Sequence, residues 1–528
     1  MRNFHFPGRS PVYGRRAMCA TSHPAASVAA LDVLRAGGNA VDASIAAAAV
    51  LAVVEPPMTG IGGDCFVLMH KPGRKKLIAL NASGRAPKGA TPEFFASKGV
   101  KKFETTSVHS VTVPGAIDGW CRILEDYGSM PLDKLLEPAI EYADKGFVVA
   151  PRVAADWAHA ARKITGPGAK QHLLREGKVP KAGELMRFPA LAKTLKKIAK
   201  DGRAGFYEGD VARDMVKELN ALGGCHTMED FAAQRSSYVD PISVEYKGVE
   251  LNELPPSNHG IVALIMLRML ARLGKPPANP VSAERYHLLM EVARQAFAMR
   301  DAFVADPDMA DVPVAHMLSD AVIDKLAKRI DRKKHRPELG PIPRPAGSDT
   351  VCFSIVDEKG MAVSFINSLY GDFGTGIVTG KTGIVMHNRG EGFVLDPAHP
   401  NCVAPGKRPM HTLVPAFVTK EGKPLMPFGV MGAHFQPMGH VYIMSNMFDY
   451  GMDPQEAIDT PRVFFEGDAL HAEHGVPEDV VEGLRKMGHT VVRRAFPWGG
   501  GQGVFFDREN GTLIGASDPR KDGLAIGY

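Results

Sequence analysis

Two apolar runs, Val351–Val356 and Met361–Leu369, flank the polar turn Glu358-Lys359-Gly360. Strand-like runs joined by a short glycine turn predict a β-hairpin. Before it lies Lys333 to Pro345, Pro-rich and basic with no apolar period, which reads as linker. Upstream the period lengthens to that of helices. Ala25–Arg35 and Ala40–Val54 predict two helices, split by Ala36-Gly37-Gly38-Asn39, where glycine supplies the C-cap and turn. The second is apolar nearly all round and should be buried. Further helices are expected over Leu132–Lys145, Phe188–Lys200, Val211–Leu222, Ile261–Leu273 and Leu318–Ile330, with a long amphipathic one over Ser282–Phe303. Strands are expected from the glycine turn at Thr59 through Met69, over Lys76–Ala82, and as a pair within Ile242–Leu254. Beyond Thr350, strands Thr412–Thr419, Pro424–Val430, Thr490–Arg494 and Gly503–Phe506 alternate with helices Gly439–Phe448, Pro454–Asp459 and Pro477–Met487. Strands bunched together with helices around them argue for stacked sheets covered by helices, an α+β class, rather than βαβ units.

Composition narrows the function classes. The 528 residues carry 63 basic and 58 acidic side chains, a net charge of +5 that is too balanced to imply nucleic acid. Six cysteines scattered without a Cys-x-x-Cys pair indicate neither zinc nor a disulfide framework. The N-terminus has no continuous apolar segment, and Val41–Val54 is too short for a span needing about 20 residues, so the cytoplasm is the default and no membrane partner is expected.

Several chemical motifs fail on spacing. Gly376-Ile-Val-Thr-Gly380-Lys381-Thr382 has its first glycine one residue too close for a phosphate loop. The glycines of Gly60-Ile-Gly-Gly63 precede a strand, not a helix, and read as tight backbone packing. His471 with His474, and His287 with Glu291, are metal-ligand pairs without a third partner, so no metal is assigned. One constellation survives. A small nucleophilic residue where loose linker meets a buried strand suits self-cleavage between Asp349 and Thr350. Thr350 would then carry both a hydroxyl nucleophile and, in its α-amine (pKa about 7.7–8.0), the base that takes the hydroxyl proton. The plain alternative is that Thr350 only opens the hairpin.

The chain resembles the γ-glutamyltranspeptidase family of N-terminal-nucleophile hydrolases over almost its whole length. The residues that carry the resemblance are Ala36-Gly-Gly-Asn-Ala-Val-Asp42, Val54-Glu-Pro-Pro-Met-Thr-Gly-Ile-Gly-Gly-Asp64 and Ser110-Val-Thr-Val-Pro-Gly115. Downstream they are Pro255-Pro-Ser-Asn-His-Gly260, Phe373-Gly-Thr-Gly376, Pro405-Gly-Lys-Arg-Pro409 and Gly515-Ala-Ser-Asp-Pro-Arg520. The resemblance implies a four-layer αββα sandwich, autocleavage before Thr350, and fragments 1–349 and 350–528 forming one interwoven unit, with higher oligomers left open. It implies Thr350 as nucleophile and Ser368 as the hydroxyl that bonds it. Gly432 and Ala433 stand where the family's paired glycines supply the oxyanion-hole amides. No cofactor is implied.

The substrate-holding positions depart from the family. Its arginine for the γ-glutamyl carboxylate falls on Ser83, its acidic residue on Gly392, its asparagine on Tyr370, its neighbouring glutamine on Arg389, and its two serines on His411-Thr412. Losing a bidentate arginine should weaken hold on a γ-glutamyl group. Arg85 and Arg389 remain as positive anchors, with Tyr370, His411 and Thr412 as polar partners. That pattern, with Asn388-Arg-Gly-Glu-Gly-Phe393 and His399-Pro-Asn401, is similar to the branch containing oxamate amidohydrolase. The expected activity is that of an autoprocessed amidohydrolase or acyltransferase acting through an acyl-Thr350 intermediate. Its substrate is a γ-glutamyl compound or a smaller acidic amide. Arg85 and Arg389 as mere scaffold ion pairs, and a non-catalytic metabolite-binding relative, are the competing readings.

Overall fold

The computed structural model describes residues 8–337 and 350–528. Two seven-stranded sheets, antiparallel throughout, lie face to face. The first runs Leu524–Gly527, Met18–Thr21, Val351–Val356, Ala362–Ser368, Asp64–His70, Ile78–Ala82, Ser237–Val239. The second runs Val12–Gly14, Thr512–Ser517, Gly500–Asp507, Lys423–Met431, Pro415–Lys420, Val249–Glu253, Ile242–Tyr246. Side chains from both sheets, among them Phe66, Leu68, Cys352, Phe417, Met431 and Val504, meet in one apolar cluster. Because strand side chains alternate between faces, the opposite faces need cover as well. Helices Pro24–Arg35, Ala40–Val54 and Leu132–Lys145 cover the first sheet, and Ile261–Arg272, Ala283–Phe303 and Gln436–Tyr450 cover the second. The fold is thus a four-layer αββα sandwich. Each sheet mixes strands from both sides of residue 350.

The buried helix Ala40–Val54 shows how sequence fixes this architecture. All fifteen of its residues are buried, and it starts at a capping box in which the Asn39 side chain accepts from the Val41 and Asp42 amides while Asp42 accepts from Asn39. Such a cap stabilises a helix by about 1 kcal/mol. Asp357, at the hairpin turn, accepts from the Lys359 and Met361 amides with one oxygen and from the Ala40 amide with the other. The hairpin that begins at Val351 is therefore pinned directly to the helix beneath it.

Two expectations change. Ala283–Phe303 is buried along almost its whole length rather than amphipathic, because a small sheet (Val463–Glu466, Ala469–Ala472, Thr490–Arg493) and helix Glu478–Lys486 cover its outer side. The helix expected from Leu318 to Ile330 shortens to Asp320–Ala327, started by the Ser319 side chain accepting from Val322. Helices Ala116–Tyr127 and Pro151–Ala160 were not anticipated. The six cysteines are all free. Among the described residues, no helix is long and apolar enough to cross a membrane.

Candidate active site

Strand register builds the site. Val351 pairs with Asn367 and Ser368 with Asp64, which sets Thr350, Ser368 and Asp64 in one row at the end of three adjacent strands. The glycines before Asp64 allow this row to close. A Cβ on Gly63 would stand 2.2 Å from the Ser368 carbonyl oxygen, and one on Gly62 the same distance from that of Val385. Tight backbone packing is thus the use of this glycine run.

Thr350 is fully buried and its hydroxyl donates to Ser368 Oγ at 3.1 Å. Ser368 Oγ also accepts from the Tyr370 amide at 2.7 Å. Gln436 Nε2 donates to Thr350 Oγ at 3.3 Å, and the other end of the Gln436 amide accepts from Val414. Nothing in the sequence pattern singled out Gln436. It becomes visible only once the start of helix Gln436–Tyr450 is packed against the strand carrying Thr350. Just ahead of that helix, strand Lys423–Met431 turns sharply through Gly432 (φ +129°) and Ala433 (φ +46°) into a 3-10 turn. The first amides of a helical segment have no acceptor within it, so this turn presents N–H donors. A left-handed alanine costs of order 1 kcal/mol and marks a bend that the surrounding packing enforces.

Asp64, which ends one of the sequence motifs but has no role expected from it, is the hub of the site. One of its oxygens accepts from the Gly84 and Gly115 amides, and the other accepts from His411 Nε2 at 3.1 Å. His387 Nδ1 stands 3.4 Å and Arg389 Nε 3.8 Å from that second oxygen. Burial alone would raise the Asp64 carboxyl, but His387 and His411 outweigh it and hold the group well below the usual carboxylate range. It is therefore an anion fixed inside the protein.

Arg389 is the most informative of the expected anchors. Its guanidinium is buried, lies 4.2 Å over the Tyr370 ring, and donates one bond to Thr412 Oγ at 2.8 Å. Nε and the second terminal nitrogen have no hydrogen-bond partner among the described residues. Burial pushes Arg389 down to about 10, a shift that Asp64, Tyr370 and Glu391 oppose, so it stays charged at neutral pH. Tyr370, whose ring Arg389 covers, also lines a cavity of about 370 Å³ together with Arg300, Glu391, Gly392, Met410 and His434. Arg300 donates to His434 Nδ1 at 2.7 Å and pairs with Asp301.

Other expected positions are used differently. Arg85 has the contacts of a scaffold ion pair: it pairs with Asp308 at 3.1 Å and Asp306 at 3.7 Å and donates to the Gly406 carbonyl. His411 also has no donor left for a ligand. Its Nε2 serves Asp64 and its Nδ1 accepts from the Leu413 amide; burial and Arg389 push it down to about 3. Thr412 positions Arg389. Gly392 admits no side chain, since a Cβ would meet the Met410 carbonyl oxygen at 2.6 Å. Ser83 is buried with its hydroxyl bonded to Gly84. Asp349 lies outside the described residues. The rejected phosphate-loop segment forms a turn in which Thr382 is bonded to Asp214.

These buried imidazoles make stability depend on pH. His23, His226, His259, His411 and His434 are all held below the ordinary imidazole value by burial, His23 and His226 to about 4. Their contribution is complete above about pH 6.5 and is lost as pH falls, because the unfolded chain then binds protons that the folded chain refuses. At pH 5 each strongly depressed imidazole accounts for about 2 kcal/mol. Five carboxyls raised by burial, Glu55 to about 7, Asp459 to about 6, and Glu253, Asp357 and Glu391, act in the opposite sense. With His70, His109, His471 and His489, however, the histidines lowered by burial number nine among the described residues. Calorimetry should show Tm falling steadily from pH 7 to 5; a Tm that stays flat or rises would contradict this balance.

Comparison with known proteins agrees with the geometry. The family model described as gamma-glutamyltranspeptidase matches residues 26–528. A glutathione hydrolase-like YwrD proenzyme of Bacillus subtilis is 38% identical, over 98% of this chain and 99% of its own. An oxamate amidohydrolase proenzyme of Klebsiella pneumoniae is 37% identical, over 97% and 98%. The crystal structure of cephalosporin acylase from Bacillus halodurans superposes with a TM-score of 0.92 at 37% identity, covering 100% of this chain and 99% of that one.

Proposed function

The chain belongs to the gamma-glutamyltranspeptidase family, and from that premise we propose that it is an autoprocessed threonine amidohydrolase for small amides bearing a carboxylate. Cleavage between Asp349 and Thr350 leaves fragments 1–349 and 350–528 associated and frees the Thr350 amine. That amine takes the hydroxyl proton as Oγ attacks the amide carbonyl. The amides of Gly432 and Ala433 hold the resulting oxyanion. Collapse expels the leaving amine, which takes up the proton, and leaves an acyl-Thr350 ester. Water, or an acceptor amine, then releases the acyl group by the reverse sequence. Ser368 and Gln436 keep Thr350 Oγ oriented through the bonds at 3.1 and 3.3 Å.

The observation that carries the substrate assignment is the half-used, buried guanidinium of Arg389. A buried charged donor left unpaired is costly, and a substrate carboxylate would satisfy it with two parallel bonds. Gly392 and Ser83, by contrast, offer nothing to the amino and carboxylate ends of a γ-glutamyl group. Absence of two charge-assisted contacts, each about 1.5–3 kcal/mol, corresponds to about 10² to 10⁴ in kcat/KM. Mass-spectrometric assay of the purified protein should therefore show small anionic amides, oxamate among them, turned over faster than a γ-glutamyl anilide. If the anilide beats every small amide tested, the chain is an ordinary transpeptidase and the role given to Arg389 is wrong.

A further inference from the structure

We infer that the protein binds a zinc-class divalent cation between His287, Glu291 and His489, a site built from other residues than the threonine centre. His287 and Glu291 lie one turn apart on the same face of helix Ala283–Phe303. In sequence that pair lacked a third ligand. The fold supplies it in His489, just before strand Thr490–Arg493. One nitrogen from each histidine and one carboxylate oxygen lie within 4.8 Å of one another, and all three residues are buried.

The surrounding hydrogen bonds are those of a ligand set. His287 Nε2 donates to the Asp331 carbonyl at 2.7 Å, which leaves Nδ1 with its lone pair directed at His489 Nε2, 2.8 Å away. An outer bond of this kind, to a backbone carbonyl, is what orients a metal-binding imidazole. His335 Nδ1 bonds Glu291 Oε1 at 2.7 Å, and its ring stacks on that of His489 at 4.4 Å. The carboxylate and the second imidazole are thus both braced from behind. Bonds of about 2.0–2.1 Å in a tetrahedron set two ligand nitrogens about 3.3 Å apart. The His287–His489 pair need open only by about half an ångström, with His489 moving its proton from Nε2 to Nδ1. Two imidazoles and one carboxylate favour zinc or a similar borderline ion over calcium or magnesium, which take oxygen. Two features oppose a cation among the described residues: the charge of Arg294, which acts on Glu291 and His489 alike, and the Arg336 amide, which donates to Glu291 Oε2 at 3.4 Å.

The ligands come from both sides of residue 350, so the ion would clamp the two halves of the chain together. Full-length protein is dialysed against zinc chloride, passed through a desalting column, and its metal content measured by mass spectrometry. One zinc per chain is expected, and cobalt(II) in its place should give the visible absorption of a tetrahedral site. His489→Ala should lower affinity by at least about 100-fold, and His335→Ala by about 10- to 100-fold. Should His489→Ala fail to fold, Glu291→Gln keeps the shape of the carboxylate and tests the same ligand. Wild-type protein retaining no more zinc than a buffer blank, or zinc retained undiminished by both ligand variants, would overturn the assignment.

Discussion

Thr350→Ala should leave one uncut 528-residue chain with no measurable amidase activity. In the proposed mechanism the same hydroxyl is the nucleophile in self-cleavage and in turnover, so one substitution removes both. Loss of an activated hydroxyl nucleophile lowers kcat by roughly five to six orders of magnitude. The fold should survive, because the side chain's bonds to Ser368 and Gln436 contribute about 1 kcal/mol each. Thr350→Ser keeps the hydroxyl and the amine and should process and turn over substrate at a reduced rate. Gel electrophoresis and N-terminal sequencing decide the matter: the small fragment of the wild type should begin Thr-Val-Cys-Phe. An alanine variant that still splits at this bond would remove Thr350 from the mechanism, as would an intact wild-type chain that turns over substrate.

Arg389→Met should lower kcat/KM on a small anionic amide by about 10- to 150-fold, the equivalent of one charge-assisted contact worth about 1.5–3 kcal/mol. Methionine keeps much of the bulk over the Tyr370 ring while removing the charge. Cleavage before Thr350 should continue, since processing needs no substrate carboxylate. Arg389→Lys tests the geometry: a point charge cannot hold Thr412 and a carboxylate in the same fork, so most of the loss should persist. Arg85→Met is the control. Its guanidinium is already paired with Asp306 and Asp308, so activity should change less than about twofold. Equal losses at positions 85 and 389 would mean that both act through the scaffold, and the substrate anchor would have to be sought elsewhere, Arg300 first.

The sequence alone determined the periodic elements and placed a hydroxyl-bearing residue, Thr350, at the mouth of the hairpin. Helix Ala40–Val54 has the bounds its apolar run predicts, and the hairpin after Thr350 turns at the expected glycine. Both depend on residues close in the chain, where pattern and local capping decide. The tertiary structure decided which polar groups remain available to a ligand. Arg85 and Arg389 are equally good anchors in sequence. One is consumed by Asp306 and Asp308, the other stays half-used because Asp64 reaches it only at 3.8 Å. His411 is consumed by Asp64 and Leu413, while Gln436, silent in sequence, reaches Thr350 from 86 residues away. His287 and Glu291 likewise gained their third partner only across 202 residues, in His489. Periodicity reports what each segment buries, but whether a charged or polar side chain is free to act depends on which distant segment packs against it.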